Sequence, residues 1–93
     1  MRMTVMATAL LLAAATLAAM TSRASAQDCE DLWIERNSYY KEAGYCFRTA
    51  RAIRHFGNSG CRYDNMNDVP LSGSVRSRIA EIVRTERRLG CTD

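Results

Sequence analysis

Four cysteines are the side chains with the most definite chemistry in this sequence. They are Cys29, Cys46, Cys61 and Cys91, at successive spacings of 17, 15 and 30 residues. Zinc sites usually take their thiolates from C-x-x-C pairs, and the sequence contains no such pair. Four cysteines in a small exported domain are typical of a disulfide framework. We therefore predict two disulfides and no metal, with a zinc site as the alternative.

Groups that could catalyse a reaction are sparse. His55 is the only histidine, and no hydrolase, zinc-protease or phosphate-loop motif occurs. Glu35 and Glu42 stand two helical turns apart, which favours a solvated face over a glycosidase pair. The run from Asp64 to Asp68 lacks the ligand and glycine positions of an EF-hand loop. The sequence predicts a protein that is not an enzyme and uses no cofactor, with a small hydrolase as the weakest alternative.

Aromatic and polar side chains are concentrated in one predicted helix, where they could bind a ligand. The candidates are Trp33, Arg36, Asn37, Tyr39 and Tyr40. Amphipathic rings beside a guanidinium and an amide suit a sugar or a peptide. The same rings could instead fill the core, because a small domain has few other residues for that purpose. Both roles can hold for different rings.

The first 26 residues have the pattern of a cleaved signal peptide. Arg2 precedes an apolar run from Met6 to Met20, and small residues follow at Ala24 and Ala26. We predict a signal peptide over 1–26, a domain over 27–93 and a periplasmic or secreted location. The apolar run is short for a membrane span, so no stable span is expected after cleavage, and an uncleaved anchor is the alternative.

The charge of the predicted mature chain excludes one class of partner. Removing Arg2 and Arg23 from the 13 basic residues leaves 11, against 10 acidic ones, so the net charge falls from +3 to +1. A nearly neutral exported domain is a poor nucleic-acid binder. Ten of these 11 basic residues are arginines, which can bind carboxylates through two hydrogen bonds.

Helical spacing of apolar residues and glycine stops predict an all-α fold with three helices. Ile34 does not fit the apolar stripe of the first helix, whereas Ile53 is expected to face inward from the second. Leu89 is expected to lie on the apolar stripe of the third. The predicted helices are Asp28 to Ala43, Thr49 to Phe56, and Ser72 to Leu89.

Packing the first and last helices antiparallel would bring the start of one to the end of the other. Cys29 would then lie beside Cys91, and Cys46 near the loop that carries Cys61. We predict these two disulfides, each contributing about 2–4 kcal/mol to stability.

Several of the same residues resemble the signature of the YARHG domain, a small bacterial extracytoplasmic helical module. The matching residues are Leu32, Arg36, Asn37, Tyr40, Gly44, Tyr45 and Phe47. The motif that names the family falls on 40–44, where only Tyr40 and Gly44 agree with it. Lys41, Glu42 and Ala43 replace its Ala, Arg and His, so no role of those residues is carried over. The resemblance implies a cell-surface or periplasmic module without catalytic activity and a hypothesised affinity for peptidoglycan.

Together these observations predict an exported, non-catalytic binding module for peptidoglycan or another cell-envelope component. Cell-wall glycan and cell-wall peptide are both possible ligands. The alternative is a periplasmic protein-interaction or inhibitor domain, with Ile34 or the arginine-rich last helix as its contact surface.

Overall fold

The computed structural model describes residues 25–92 and shows three α-helices, which confirms the predicted all-α fold. Most of the predicted signal peptide lies outside the described residues. Helix α1 covers 25–43, α2 is Ala50–Phe56 and α3 is Gly73–Leu89, with a short 3-10 helix at Met66–Asp68. Within the described residues the only β pairing is an isolated bridge between Tyr45 and Tyr63.

The first helix begins earlier than predicted. Residues 25–27 are already helical, so the predicted start at Asp28 is wrong. These residues contain no glycine or proline that would interrupt a helix. The Gln27 side chain also donates a hydrogen bond to Asp31 one turn later, at 3.1 Å, a spacing that supports helix.

Gly44 ends α1 and starts the return of the chain. Its φ of 94° lies in the left-handed region that favours glycine. The Gly44 carbonyl then accepts hydrogen bonds from the backbone N–H groups of Arg62 and Tyr63, at 2.7 and 3.0 Å. The turn therefore places the segment after α1 against the loop that follows α2.

The core lies between α1, α2 and the segments that connect the helices. Its buried members are Trp33, Tyr45, Phe47, Ala52 and Val69. Partly buried apolar residues surround them, and Ile34 is among these. Ile34 is therefore partly buried against the core and is not the exposed side chain that was expected to contact a partner.

Helix α2 is capped by Thr49, and the face that it turns to solvent differs from the predicted one. The Thr49 hydroxyl accepts a hydrogen bond from the Ala52 N–H, and Gly57 follows the last turn. Ala52 is buried, whereas Ile53 is 43% exposed, so the expectation that Ile53 faces inward is wrong. A helix of seven residues can bury only one narrow face, and Ala52 and Phe56, four residues apart, occupy it.

Helix α3 begins after Ser72, whose hydroxyl accepts the Val75 N–H, and ends at Gly90 in the left-handed conformation. Ile79 and Ile82 are buried on it. Leu89 is 37% exposed, contrary to the predicted stripe, because it lies in the last turn beyond the packed part of the helix.

Two disulfides hold these elements together, and both predicted pairings are confirmed. Cys29 pairs with Cys91, with Cα atoms 5.5 Å apart, and this bond links the start of α1 to the end of α3. Cys46 pairs with Cys61, with Cα atoms 5.1 Å apart, and this bond ties the segment after α1 to the loop after α2. All four cysteines are thus paired, which excludes the alternative of a thiolate zinc site.

Candidate ligand-binding cleft

A cleft of about 170 Å³ opens where α1 faces α2 and the loop before α3. We call it the arginine cleft because Arg36, Arg48 and Arg51 line it. The rest of the lining consists of Trp33, Asn37, Tyr45, Thr49, Ala52 and Met66. No carboxylate belongs to this lining, so among the described residues the charged groups facing the cleft are all cationic.

Asn58 holds the chain in the conformation that forms this cleft. Its amide donates to the Phe47 carbonyl at 2.9 Å, and its oxygen accepts the Phe47 N–H. The disulfide at Cys46 pins the preceding residue. Arg48 and Thr49, which follow at once, are thereby placed at the mouth of the cleft.

Trp33 forms the floor of the cleft and is covered by Arg51. The Trp33 side chain is only 5% exposed, and the Arg51 Cζ atom lies 3.8 Å from the ring centroid. His55 and Phe56 contact the same ring, with centroids at 5.6 and 5.8 Å. A cation over an aromatic face is an attractive arrangement. A sugar could stack on the ring only after displacing Arg51.

Asn37 is buried and serves first to hold α1. It is 6% exposed, and its amide donates to the Trp33 carbonyl one turn earlier, at 2.9 Å. Every buried side-chain nitrogen and oxygen of the described residues has a hydrogen-bond partner. Asn37 therefore stabilises the wall of the cleft, and its buried polar atoms already have hydrogen-bond partners within the protein.

The three arginines differ in how firmly they are held. Arg36 forms a bidentate ion pair with Glu86 of α3, at 2.8 and 3.0 Å. Arg48 donates to the Asp64 carbonyl at 3.0 Å, on the protein surface. Arg51 pairs with Glu30 of α1, also at the surface. Arg48 and Arg51 are thus the more accessible cations of the cleft.

Tyr39 and Tyr40, the remaining predicted binding residues, lie outside the arginine cleft. The Tyr39 hydroxyl donates to Glu35 at 3.0 Å, and this hydrogen bond raises the pKa of Tyr39. Tyr40 packs against the core, with its ring 5.8 Å from that of Tyr45. The structure therefore brings together three of the five predicted residues, Trp33, Arg36 and Asn37.

Glu35 and Arg78 form a second bidentate ion pair between α1 and α3, at 2.7 and 2.8 Å. The hydrogen bonds from Arg78 lower the pKa of Glu35, against a smaller opposing effect of burial. The same contact raises the pKa of Arg78, so both groups are charged at neutral pH. This pair positions the helices and lies apart from the cleft.

Sequence reasoning missed Arg48, Arg51, Thr49 and Met66 as residues of the site. Arg48 and Arg51 were not among the predicted binding residues, which all lie on the first helix. The spacing carried no signal for this pair, because Arg48 precedes the helix cap Thr49 and helical periodicity does not extend to it.

The described residues contain no group of His, Cys, Asp and Glu side chains that could hold a metal ion. His55 contacts the edges of Trp33 and Phe56, with ring centroids 5.6 and 4.5 Å away. His55 is thus an exposed residue whose ring contacts are aromatic.

Fold, disulfides and cleft define a small, covalently closed helical module. A family model, described as the YARHG domain, matches residues 7–87, which is most of the chain. The chain belongs to the YARHG domain family, an extracytoplasmic one, and its two disulfides fit that location. The match begins inside the predicted signal peptide, and the cleavage position stays a prediction.

No match to the chain was found among curated proteins or among solved structures. Within residues 25–92, no helix combines the length and the apolar character that crossing a membrane requires.

Proposed function

We propose that this protein is a non-catalytic binding module of the cell envelope, and that its ligand is peptidoglycan. The observation that carries the proposal is the arginine cleft itself. Three arginines, the Thr49 hydroxyl and an apolar floor line it, and the carboxylates that pair with Arg36 and Arg51 lie outside the lining. Such a site attracts anionic groups, and guanidinium binds carboxylate in a bidentate, charge-assisted way.

Peptidoglycan fits the cleft and the location of the family. Its stem peptides carry carboxylates, and it lies outside the cytoplasm, where this domain family occurs. The absence of turnover is part of the proposal. General-base catalysis would need His55 within reach of a nucleophile, whereas its described ring contacts are with Trp33 and Phe56.

Sedimentation with purified sacculi tests the proposal. The full chain is expressed, exported, purified in oxidised form and mixed with sacculi, and bound protein is measured against concentration. We expect saturable binding that the double variant Arg48→Gln/Arg51→Gln loses. Arg62→Gln, an exposed arginine outside the cleft, is the matched control. Absence of wild-type binding, or equal binding by the double variant, would count against the proposal.

Trp33→Ala and Arg36→Ala are unsuitable as first variants. Trp33 belongs to the buried core, and Arg36 is joined to Glu86 across two helices. Both changes would alter the scaffold as well as the cleft. Arg48 and Arg51 lie nearer the surface, so substituting them tests ligand binding with less effect on the stability of the fold.

The outer face of α3 favours a second function, interaction with or inhibition of an acidic periplasmic protein. Glu86 turns inward to Arg36, and Glu81 pairs with Arg78. The exposed Arg84 and Arg87 therefore lie on a face where these glutamates are engaged elsewhere. A partner retained by the wild type but lost from Arg84→Gln/Arg87→Gln, with sacculi binding unchanged, would support this function.

A further inference from the structure

We infer that Arg51, which borders the arginine cleft, binds the C-terminal carboxylate of a peptide, and that Glu30, which lies just outside the lining of the cleft, occupies this carboxylate position in the free protein. The inference rests on the proposed function in that it uses the same cleft. It goes further by naming the chemical group that is bound, the residue that binds it and an internal competitor.

Arg51 is oriented before any ligand arrives. Its guanidinium lies over Trp33, with Cζ 3.8 Å from the ring centroid. Trp33 is itself fixed by burial, and its carbonyl is bound by Asn37. A planar guanidinium that stacks on a ring keeps its edge free for hydrogen bonds. The edge of Arg51 is thus aimed at an anion without further ordering of the side chain.

Glu30 shows where that anion is held. Its carboxylate accepts a hydrogen bond from the Arg51 Nη2 atom. Glu30 belongs to an adjoining cleft that shares Trp33 and Arg51 with the arginine cleft. The two side chains are 48% and 36% exposed, respectively, so solvent and solutes reach both. Ion pairs that are this exposed alter an equilibrium by about five-fold or less. A ligand carboxylate can therefore displace Glu30 while Arg51 remains on Trp33.

The dimensions of the cleft favour a peptide end over a sugar chain. Sites that enclose drug-sized ligands have volumes of about 300–1,000 Å³, whereas the arginine cleft measures about 170 Å³ and the adjoining cleft at Glu30 about 240 Å³. The face of Trp33 is also covered by Arg51, so no open ring is available for sugar stacking. One or two residues at the end of a peptide match this space.

Other groups around the cleft fit the rest of a peptide terminus. The Thr49 hydroxyl oxygen accepts the Ala52 N–H, so its own proton is available to a ligand oxygen. Arg48 supplies a second cation, and Met66, 42% exposed, offers an adaptable apolar contact for a side chain.

Titration with N-acetyl-D-alanyl-D-alanine and with its C-terminal amide tests the inference, because the two probes differ only in the carboxylate. We expect the acid to bind the oxidised full chain at least about tenfold more tightly than the amide, as loss of a charge-assisted contact implies. Glu30→Gln should lower the Kd of the acid by about two- to five-fold. Arg51→Gln should raise it about tenfold or more.

Two controls match these variants. Glu42→Gln removes an exposed acid from the same helix as Glu30, and Arg62→Gln removes an exposed arginine outside the cleft. Neither should change the Kd. If Arg51→Gln fails to fold, Arg51→Lys keeps the charge but loses the planar fork, and a several-fold weaker Kd is then expected. Equal affinity for acid and amide, or an unchanged Kd in Glu30→Gln, overturns the inference.

The same experiment separates the two sources of such a carboxylate. N-acetyl-L-alanyl-L-alanine represents an ordinary protein terminus, whereas the D,D probe represents a wall stem peptide. Suppose that the Arg51→Gln variant still binds sacculi and that the wild type has the same Kd for the acid and the amide probe. This inference is then overturned, and the proposed function stands. If the wild type ignores sacculi yet prefers the acid, the proposed function fails and the carboxylate site stands.

Discussion

Arg36 of α1 and Glu86 of α3 form a bidentate ion pair that is largely withdrawn from solvent. The Nε–Oε1 and Nη2–Oε2 distances are 2.8 and 3.0 Å, and the side chains are only 14% and 12% exposed. Arg78 and Glu35 join the same helices with the charges exchanged, arginine on α3 and glutamate on α1. Together with the disulfide from Cys29, these pairs determine how the two long helices are aligned.

Breaking the first pair should be costly. We expect Glu86→Gln to lower the free energy of unfolding by about 1–3 kcal/mol, because Arg36 keeps its charge and loses a two-point acceptor in a poorly solvated place. Glu81→Gln is the control, since Glu81 pairs with Arg78 at an exposed site and should contribute about 0.5 kcal/mol or less. Urea denaturation of the oxidised protein measures both. Equal effects of the two variants would contradict the special role of the Arg36 pair.

Acid should weaken the second pair. The pKa of Glu35 is lowered below its ordinary value of 4.5 by Arg78 in the folded state. The unfolded chain therefore binds the proton more readily than the folded one. The resulting stabilisation is fully present above the unfolded pKa and is lost as the pH falls through the folded pKa.

The measurement is the free energy of unfolding of wild type and Glu35→Gln from pH 7 to pH 3. We expect the gap between them to be largest near neutrality and to narrow below about pH 4.5. Glu42→Gln, an exposed acid of the same helix, controls for removal of one negative charge. A gap that stays constant throughout this range would show that the Glu35 carboxylate does not carry the effect.

Much of this fold follows from short-range patterns in the sequence. Thr49 and Ser72 act as caps because their hydroxyls bond to N–H groups three residues ahead. Gly44, Gly57 and Gly90 follow the last turns of the three helices. The antiparallel alignment of two long helices then allowed both disulfides to be predicted from the positions of the cysteines.

The cleft was not predictable in the same way. It depends on Arg51 turning back over Trp33, which lies 18 residues earlier in the chain. Helical periodicity assigns Arg51 a direction around α2 but says nothing of the angle at which α2 crosses α1. Ile34 and Ile53 were misplaced for the same reason, since burial on a short or irregularly covered helix depends on that angle.

The two disulfides should contribute unequally to stability. Cys29–Cys91 closes a sequence separation of 62 residues and Cys46–Cys61 one of 15. Cross-linking removes more chain entropy from the unfolded state when the loop is longer. Replacing each pair by serine should cost about 4 and about 3 kcal/mol, respectively, measured by thermal and urea unfolding.

For ligand binding we expect the opposite ranking, with the shorter disulfide link, Cys46–Cys61, more important than Cys29–Cys91. Loss of Cys46–Cys61 frees the segment that carries Arg48 and Thr49 into the cleft, whereas neither Cys29 nor Cys91 lines the cleft. Folded protein without the shorter link should bind sacculi more weakly than folded protein without the longer one. Weaker binding by the protein without the longer link would show that the cleft is not the site of wall binding.

Gly44 offers a test of how backbone conformation supports the site. At φ 94°, an L-residue is strained, and an added Cβ would also approach the Tyr63 ring at 3.5 Å. We expect Gly44→Ala to lower the free energy of unfolding by about 1–2 kcal/mol or more, chiefly through the backbone. The same turn positions Tyr45, which lines the cleft, so ligand affinity should fall as well.

Gly73→Ala is the matched control for Gly44→Ala. Gly73 is the first residue of α3, has no positive φ, and a Cβ built there meets nothing within 4 Å. Alanine at this position reduces the entropy of the unfolded chain and suits a helix, so it should stabilise the protein by about 0.4–1 kcal/mol. If both variants shift stability in the same direction by similar amounts, the positive φ at position 44 carries no penalty for an L-residue, which contradicts this prediction.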